Sequence, residues 1–114
     1  MYYKVVISGA GIFFENYDHP DPVIGFIACR MIQATSEDLA IATAKRDILV
    51  NWNQSFNADR KLGMPRLNVE HLAQVKHWTK PKIKHDYYWY TGEDHKLEQL
   101  EKFTRPPSLW FWKK

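Results

Sequence analysis

The sequence predicts an α+β fold: an antiparallel sheet of about four strands with one main helix packed on one face, in the manner of a ferredoxin-like half, and a short C-terminal helix. Two observations favour this class. Several short runs of β-branched and aromatic residues alternate with the period of strands, and one longer segment carries apolar residues at helical spacing. A chain of 114 residues can bury one core. The predicted organisation is an α+β domain over residues 1–92, and a helical and aromatic extension over residues 93–114 packed on the domain or on a partner.

The first two strands are predicted on either side of a turn. Residues 2–12 and residues 24–34 both show the strand alternation, and Arg30 interrupts the apolar face of the second run. The intervening ENYDHPDP collects Asn, Asp and Pro, which are typical turn residues. The two strands are therefore expected to form an antiparallel hairpin, with the second strand at a sheet edge directly before the helix.

The main helix is predicted over residues 37–52. Thr35 and Ser36 are both favourable N-caps, and Thr35 with Asp38 has the spacing of a capping box. A single apolar stripe at helical spacing is expected to pack on the sheet. Its members are Ala40, Ile41, Ala44, Ile48 and Trp52.

Three shorter elements complete the predicted fold. Residues 67–78 and 86–91 have the composition of strands, and residues 93–103 can form a final helix. One face of the third strand is expected to hold Leu67, Val69, His71, Ala73 and Val75. One side of the final helix is expected to hold Leu97, Leu100 and Phe103.

The stretch GFIACRMIQATSEDLAIATAKRDI, followed later by MPRLNVEHLAQV and an aromatic strand, resembles a pattern in small bacterial domains with no assigned activity. The matching positions are Gly25, Phe26, Arg30, Ile32, Ala34, Glu37, Asp38, Ala40 and Ala44, with Leu67, Val69 and Glu70 in the later strand. The resemblance covers residues 2–92 and implies an α+β fold. It brings no activity or cofactor. The connection over residues 51–65 and the segment after Gly92 depart from the pattern.

Composition excludes few function classes. A formal charge of +3 with a pI near 9.0 is mildly basic, and acidic residues are mixed among the basic ones, so polyanion binding is permitted but not indicated. The single cysteine, Cys29, favours a reducing compartment, and the expected location is the cytoplasm. No segment approaches the roughly 20 apolar residues that a spanning helix needs.

Candidate catalytic and metal-binding groups are sparse. Arg30 lies within an apolar strand face, so it is expected to pair with a carboxylate such as Glu70 or to reach solvent at the end of the sheet, with anion binding as the alternative. His71 and His77 are about 20 Å apart along an extended chain, too far to hold one metal ion. No catalytic residue, cofactor or metal is predicted. The enzyme alternative needs Arg30 and His71 to converge on one anionic substrate.

The leading functional hypothesis is a non-catalytic interaction module that forms a homodimer or docks a protein partner through aromatic surface. Its partner-binding candidates are Trp110, Phe111, Trp112, Tyr88 and Tyr90. The alternative is single-stranded nucleic-acid binding through the basic and aromatic segment over residues 80–90. That segment contributes Lys80, Lys82, Lys84, Tyr87, Tyr88, Trp89 and Tyr90.

Overall fold

The computed structural model describes residues 1–15, 20–57, 63–75 and 87–104, which form an antiparallel sheet with a helix against each face. In chain order the elements are β1 (Tyr2–Phe14), β2 (Val23–Gln33), α1 (Glu37–Ser55), β3 (Arg66–Val75), β4 (Tyr87–Tyr90) and α2 (Glu93–Thr104). The predicted fold class is confirmed: four antiparallel strands, one main helix and a short C-terminal helix. The described helices include none long and apolar enough to cross a bilayer.

The strands follow the order β3-β1-β2-β4, and each neighbouring pair is antiparallel. Because β1 is antiparallel to both β2 and β3, those two run parallel, and α1 connects them across β1. This is the split β-α-β arrangement of a ferredoxin-like half. β2 is an inner strand, so its predicted edge position is wrong; the aromatic strand β4 pairs with it over Gly25 to Ala28.

The main core lies between α1 and the sheet. The α1 stripe is buried as predicted at Ala40, Ala44, Ile48 and Trp52, whereas Ile41 is half-buried. Ser36 is the N-cap, and its Oγ accepts a hydrogen bond from the Leu39 N–H at 3.2 Å. The predicted capping box at Thr35 is therefore wrong by one residue.

A β-bulge in β3 changes which side chains face α1. Val6 pairs with His71 while the next residue, Ile7, pairs with Val69, so Glu70 is the extra residue. The α1 core therefore receives Leu67, Val69 and Leu72 from this strand. The predicted common face is wrong beyond Val69, because the bulge moves His71, Ala73 and Val75 to the opposite face.

A smaller core lies between α2 and the second face of the sheet. It contains Val6, Ile27, Cys29 and Tyr90, with Tyr88, Leu100 and Phe103 packed against it. Leu97 does not join them, since 59% of it is exposed. The side of α2 that faces the sheet instead carries Lys96, Gln99, Leu100 and Phe103. The predicted stripe is therefore wrong at Leu97 and correct at Leu100 and Phe103.

Two glycines allow aromatic rings to lie directly on the sheet. A side chain at Gly9 would overlap the Phe26 ring, and one at Gly25 would overlap the Tyr90 ring. The Tyr90 hydroxyl donates to the Gly9 carbonyl at 3.2 Å, so one side chain of β4 reaches across β2 to β1. These contacts fix the position of β4 beside the hairpin.

Candidate functional site

The described residues leave a group of apolar side chains exposed at one end of the molecule. At this end β1 and α1 end, and β2 and β3 begin. Gly63, just before β3, lies close to β1, since a Cβ at Gly63 would be 3.8 Å from the Gly11 carbonyl oxygen. This group, which we call the apolar end, accounts for half of the exposed large hydrophobic residues in the described ranges. It consists of Phe13, Ile24, Phe56 and Met64.

Phe56 belongs at the same time to a cluster of five aromatic rings. The cluster joins the end of α1 to β2 and β4 and consists of Phe26, Trp52, Phe56, Tyr87 and Trp89. Phe56 lies 5.2 Å from Tyr87 and 5.3 Å from Trp89, edge-on to both rings. Such aromatic pairs contribute about 0.5–1.5 kcal/mol each beyond the area they bury.

The ring cluster packs against one side of Phe56 and leaves the rest of its ring in solvent. Trp52 and Phe26 are fully buried, whereas Phe56 is 39% exposed. Trp52 Nε1 donates to the Gly63 carbonyl at 3.0 Å, and Asn57 Nδ2 donates to the same oxygen at 3.2 Å. The chain around Gly63 and Met64 is thereby tied to the end of α1. An aromatic side chain that is packed on one side and exposed on the other suits protein docking, because packing already limits the rotamers that binding would have to fix.

Arg30 lies on the α1 face of the sheet and is 5% exposed. Its Nη1 donates to the Cys29 carbonyl at 3.0 Å, and its guanidinium carbon lies 6.0 Å from the centre of the Tyr87 ring. The predicted pairing with Glu70 is wrong, because the β3 bulge turns Glu70 toward the opposite face. Anion binding by Arg30 stays a prediction.

Glu70 instead belongs to a polar cluster beneath α2. Its Oε1 accepts a hydrogen bond from Ser8 Oγ at 2.8 Å and lies 3.4 Å from Lys96 Nζ. Lys96 Nζ also lies 5.9 Å from the centre of the Tyr90 ring. Ser8 is almost completely buried, so this cluster attaches α2 to the sheet and offers no accessible nucleophile.

His71 and Arg30 lie on opposite faces of the sheet. His71 pairs with Val6 of the α2-side core, whereas Arg30 pairs with Val5 of the α1-side core. Burial, followed by the positive charge of Lys4, lowers the pKa of His71 below 6.5. The two residues cannot share one substrate, so the geometry does not support the enzyme alternative that needs both.

Cys29 is fully buried in the α2-side core. Burial raises the pKa of its thiol to about 11, although Lys4 and Arg30 act in the opposite direction. The thiol is therefore neutral near pH 7 and is a poor nucleophile.

The aromatic strand does not present its four rings on one surface. Tyr87 and Trp89 stack at 5.5 Å on the α1 side, whereas Tyr88 lies 4.9 Å from Phe103 on the α2 side. Tyr90 is buried, and its ring covers Gly25, so this partner-binding candidate is used inside the fold. The rings of Tyr88 and Tyr90 are thus separated from those of Tyr87 and Trp89 by the sheet. The three lysines of this segment, Lys80, Lys82 and Lys84, lie outside the described residues.

The predicted aromatic tail also lies outside the described residues, so Trp110, Phe111 and Trp112 stay predictions. In the described ranges, no group of three or more His, Cys, Asp or Glu side chains is placed to hold a metal ion. The apolar end is a feature that the sequence interpretation missed. Its signal was weak, because its members come from four separate segments and no periodic pattern connects them.

Comparisons with protein-family models, with curated proteins and with solved structures give no match to this chain. Its function is therefore inferred from its own side chains and their geometry.

Proposed function

We propose that this protein is a non-catalytic interaction module that associates with a second copy of itself or with a protein partner through the apolar end. The observation that carries the proposal is the position of Phe56, which is packed on the three buried or half-buried rings of Trp52, Tyr87 and Trp89 and is still 39% exposed. Aromatic side chains held in this way are typical anchors of protein interfaces. A reducing, cytoplasmic compartment is the expected setting.

Side-chain docking fits this molecule better than pairing through the β3 edge. β3 carries a bulge, and Glu70 points inward to Ser8. Bulges and inward-pointing charges on an outer strand discourage another strand from pairing with it. The four described side chains of the apolar end carry no charge. The tail residues Trp110, Phe111 and Trp112 remain candidates for the same kind of docking.

The test compares exposed apolar residues inside and outside the apolar end. Phe56→Ser and Met64→Ser each remove an apolar contact from it. Val50→Ser is the matched control, because Val50 on α1 is 49% exposed and Met64 is 53% exposed. Sedimentation velocity over a concentration series should show self-association weakened about tenfold or more by Phe56→Ser and unchanged by Val50→Ser.

A chain that sediments as a monomer at every concentration restricts the proposal to a protein partner. Affinity capture from the host with the wild-type chain and the Phe56→Ser variant then tests whether a protein partner binds through Phe56. Equal recovery of every bound protein by both chains contradicts the proposal. Recovered nucleic acid, with binding that falls steeply with salt, supports the nucleic-acid alternative instead.

A further inference from the structure

Arg30 carries a buried positive charge on the α1 face of the sheet. Only 5% of the residue is exposed, and its neighbours on that face of β2 are the core residues Ala28 and Ile32. The hydrogen bond from Nη1 to the Cys29 carbonyl uses one of the five N–H groups of the guanidinium. In the described ranges, no carboxylate lies within ion-pair distance of it. The charge of Arg30 is therefore buried without a counterion from these ranges, an arrangement that is costly unless a ligand supplies one.

Two polar side chains from other elements lie beside this guanidinium. Its carbon is 6.0 Å from the centre of the Tyr87 ring. Burial raises the pKa of the Tyr87 hydroxyl, while the charge of Arg30 and hydrogen bonding with Arg30 act in the opposite direction. The same hydroxyl donates to Asn51 Oδ1 at 2.8 Å. Because Asn51 accepts through Oδ1, its amide N–H groups stay available as donors close to those of Arg30.

The charge and shape of this group favour a carboxylate as the ligand. The planar fork of a guanidinium matches a carboxylate through two parallel N–H···O bonds. One positive charge balances one carboxylate, whereas a phosphate dianion would keep a second charge that no described side chain of the group compensates. Since so little of Arg30 is exposed, the surface of a folded partner could not reach it. The ligand has to be small.

We propose that Arg30, Tyr87 and Asn51 form a binding site for a small carboxylate ligand between α1 and the sheet. Arg30 holds the carboxylate, Asn51 donates to it, and the Tyr87 hydroxyl positions both side chains. The three residues come from β2, β4 and α1, so the bound ligand connects these elements. The site does not depend on association through the apolar end, and the two proposals can fail separately.

Nuclear magnetic resonance of the full chain tests the site with sodium acetate as the probe. The Nε–Hε signal of Arg30 is assigned by its absence from the spectrum of Arg30→Met. This signal should shift saturably with acetate and should not respond to sodium chloride at the same ionic strength. Sodium phosphate, at a pH where it is a dianion, should bind at least about tenfold more weakly than acetate.

Matched variants compare this buried arginine with an exposed one. Arg30→Met removes the guanidinium and keeps a side chain of similar length, whereas Arg46→Met makes the same change at an exposed position of α1. Acetate binding, followed at the backbone amides of β2, should weaken about tenfold or more in Arg30→Met and stay unchanged in Arg46→Met. Asn51→Ala should weaken it less, because that change removes a neutral donor.

Three results overturn the proposal: no saturable effect of acetate on the Arg30 signal, equal acetate affinity in Arg30→Met and Arg46→Met, or phosphate binding as tight as acetate binding. Circular dichroism verifies that each variant is folded. Should Arg30→Met not fold, Arg30→Lys replaces it, since lysine keeps the charge and lacks the planar fork. The same loss of acetate affinity relative to Arg46→Met is then expected, and its absence contradicts the site.

Discussion

Gly9 and Gly25 occupy neighbouring strands, and a large ring lies directly against each of them. Because Phe26 is fully buried, it cannot move away from a new side chain at Gly9. At Gly25 a Cβ would meet both the Tyr90 ring and the Gly9 backbone carbonyl, which is still less able to move. Small residues at these two positions are thus required by packing.

Gly9→Ala and Gly25→Ala should each lower the free energy of unfolding by about 1–3 kcal/mol, as expected for overpacking in a closed core. Urea denaturation followed by tryptophan fluorescence measures the change. Gly92→Ala is the control, because no atom lies within 4 Å of a Cβ at that position. Equal stabilities for all three variants would contradict the assigned ring packing.

His71 should make stability depend on pH in a definite direction. Burial, then Lys4, lowers its pKa in the folded state, so the unfolded chain binds the proton more readily. The contribution of neutral His71 to the free energy of unfolding is complete above the unfolded pKa of about 6.5. It decreases as the pH falls from there through the pKa of the folded state.

The wild-type chain should accordingly lose more stability between about pH 7.5 and about pH 5.5 than a His71→Gln variant. Urea midpoints at the two pH values give the comparison, and the other histidines affect both proteins alike. A larger loss in the variant would show that His71 is stabilised in its charged form, the reverse of the sign derived above.

At the level of single elements, the two possible caps of α1 can be separated by mutation. Ser36 Oγ accepts the Leu39 N–H, while Thr35 precedes the cap. Ser36→Ala should lower the free energy of unfolding by about 1 kcal/mol, and Thr35→Ala should change it little. Thermal unfolding of both variants measures this difference. The opposite order would restore the capping box predicted at Thr35.

The elements were predictable where one regular period extends along the whole segment. The α1 stripe from Ala40 to Trp52 keeps helical spacing, and this face is the one buried on the sheet. β3 was misassigned beyond Val69 because a bulge adds one residue, and nothing in RLNVEHLAQV marks Glu70 as that residue. Leu97 was misplaced in α2 because Lys96 and Gln99 face the sheet through polar contacts that an apolar pattern does not reveal.

The site was less predictable than the fold. Strand alternation alone separates Tyr87 and Trp89 from Tyr88 and Tyr90, so the split of the aromatic strand could have been read from the sequence. The apolar end could not. Phe13 and Phe56 lie at the same end of the molecule only because α1 returns the chain to the end of the sheet where β1 ends and β2 begins.

For the whole molecule, the bulge at the β3 edge of the sheet bears on the proposed association of two copies. The bulge in β3 disfavours pairing of another strand at that edge, so the proposed association would use the side chains of the apolar end. Hydrogen exchange at dilute and concentrated protein should therefore show added protection around Ile24 and Phe56. The β3 amides should exchange equally at both concentrations. Added protection confined to β3 would mean that its edge pairs despite the bulge.

The phenol of Tyr90 has a consequence for the order in which the chain folds. β4 has four aromatic residues in succession, and a shift of two positions would keep every ring on its original side of the sheet. In the native alignment the Tyr90 ring lies over Gly25, and its hydroxyl donates to the Gly9 carbonyl. These two contact points lie side by side only after β1 and β2 have paired. We therefore expect the hairpin to form first and to act as the template on which the aromatic strand finds its alignment.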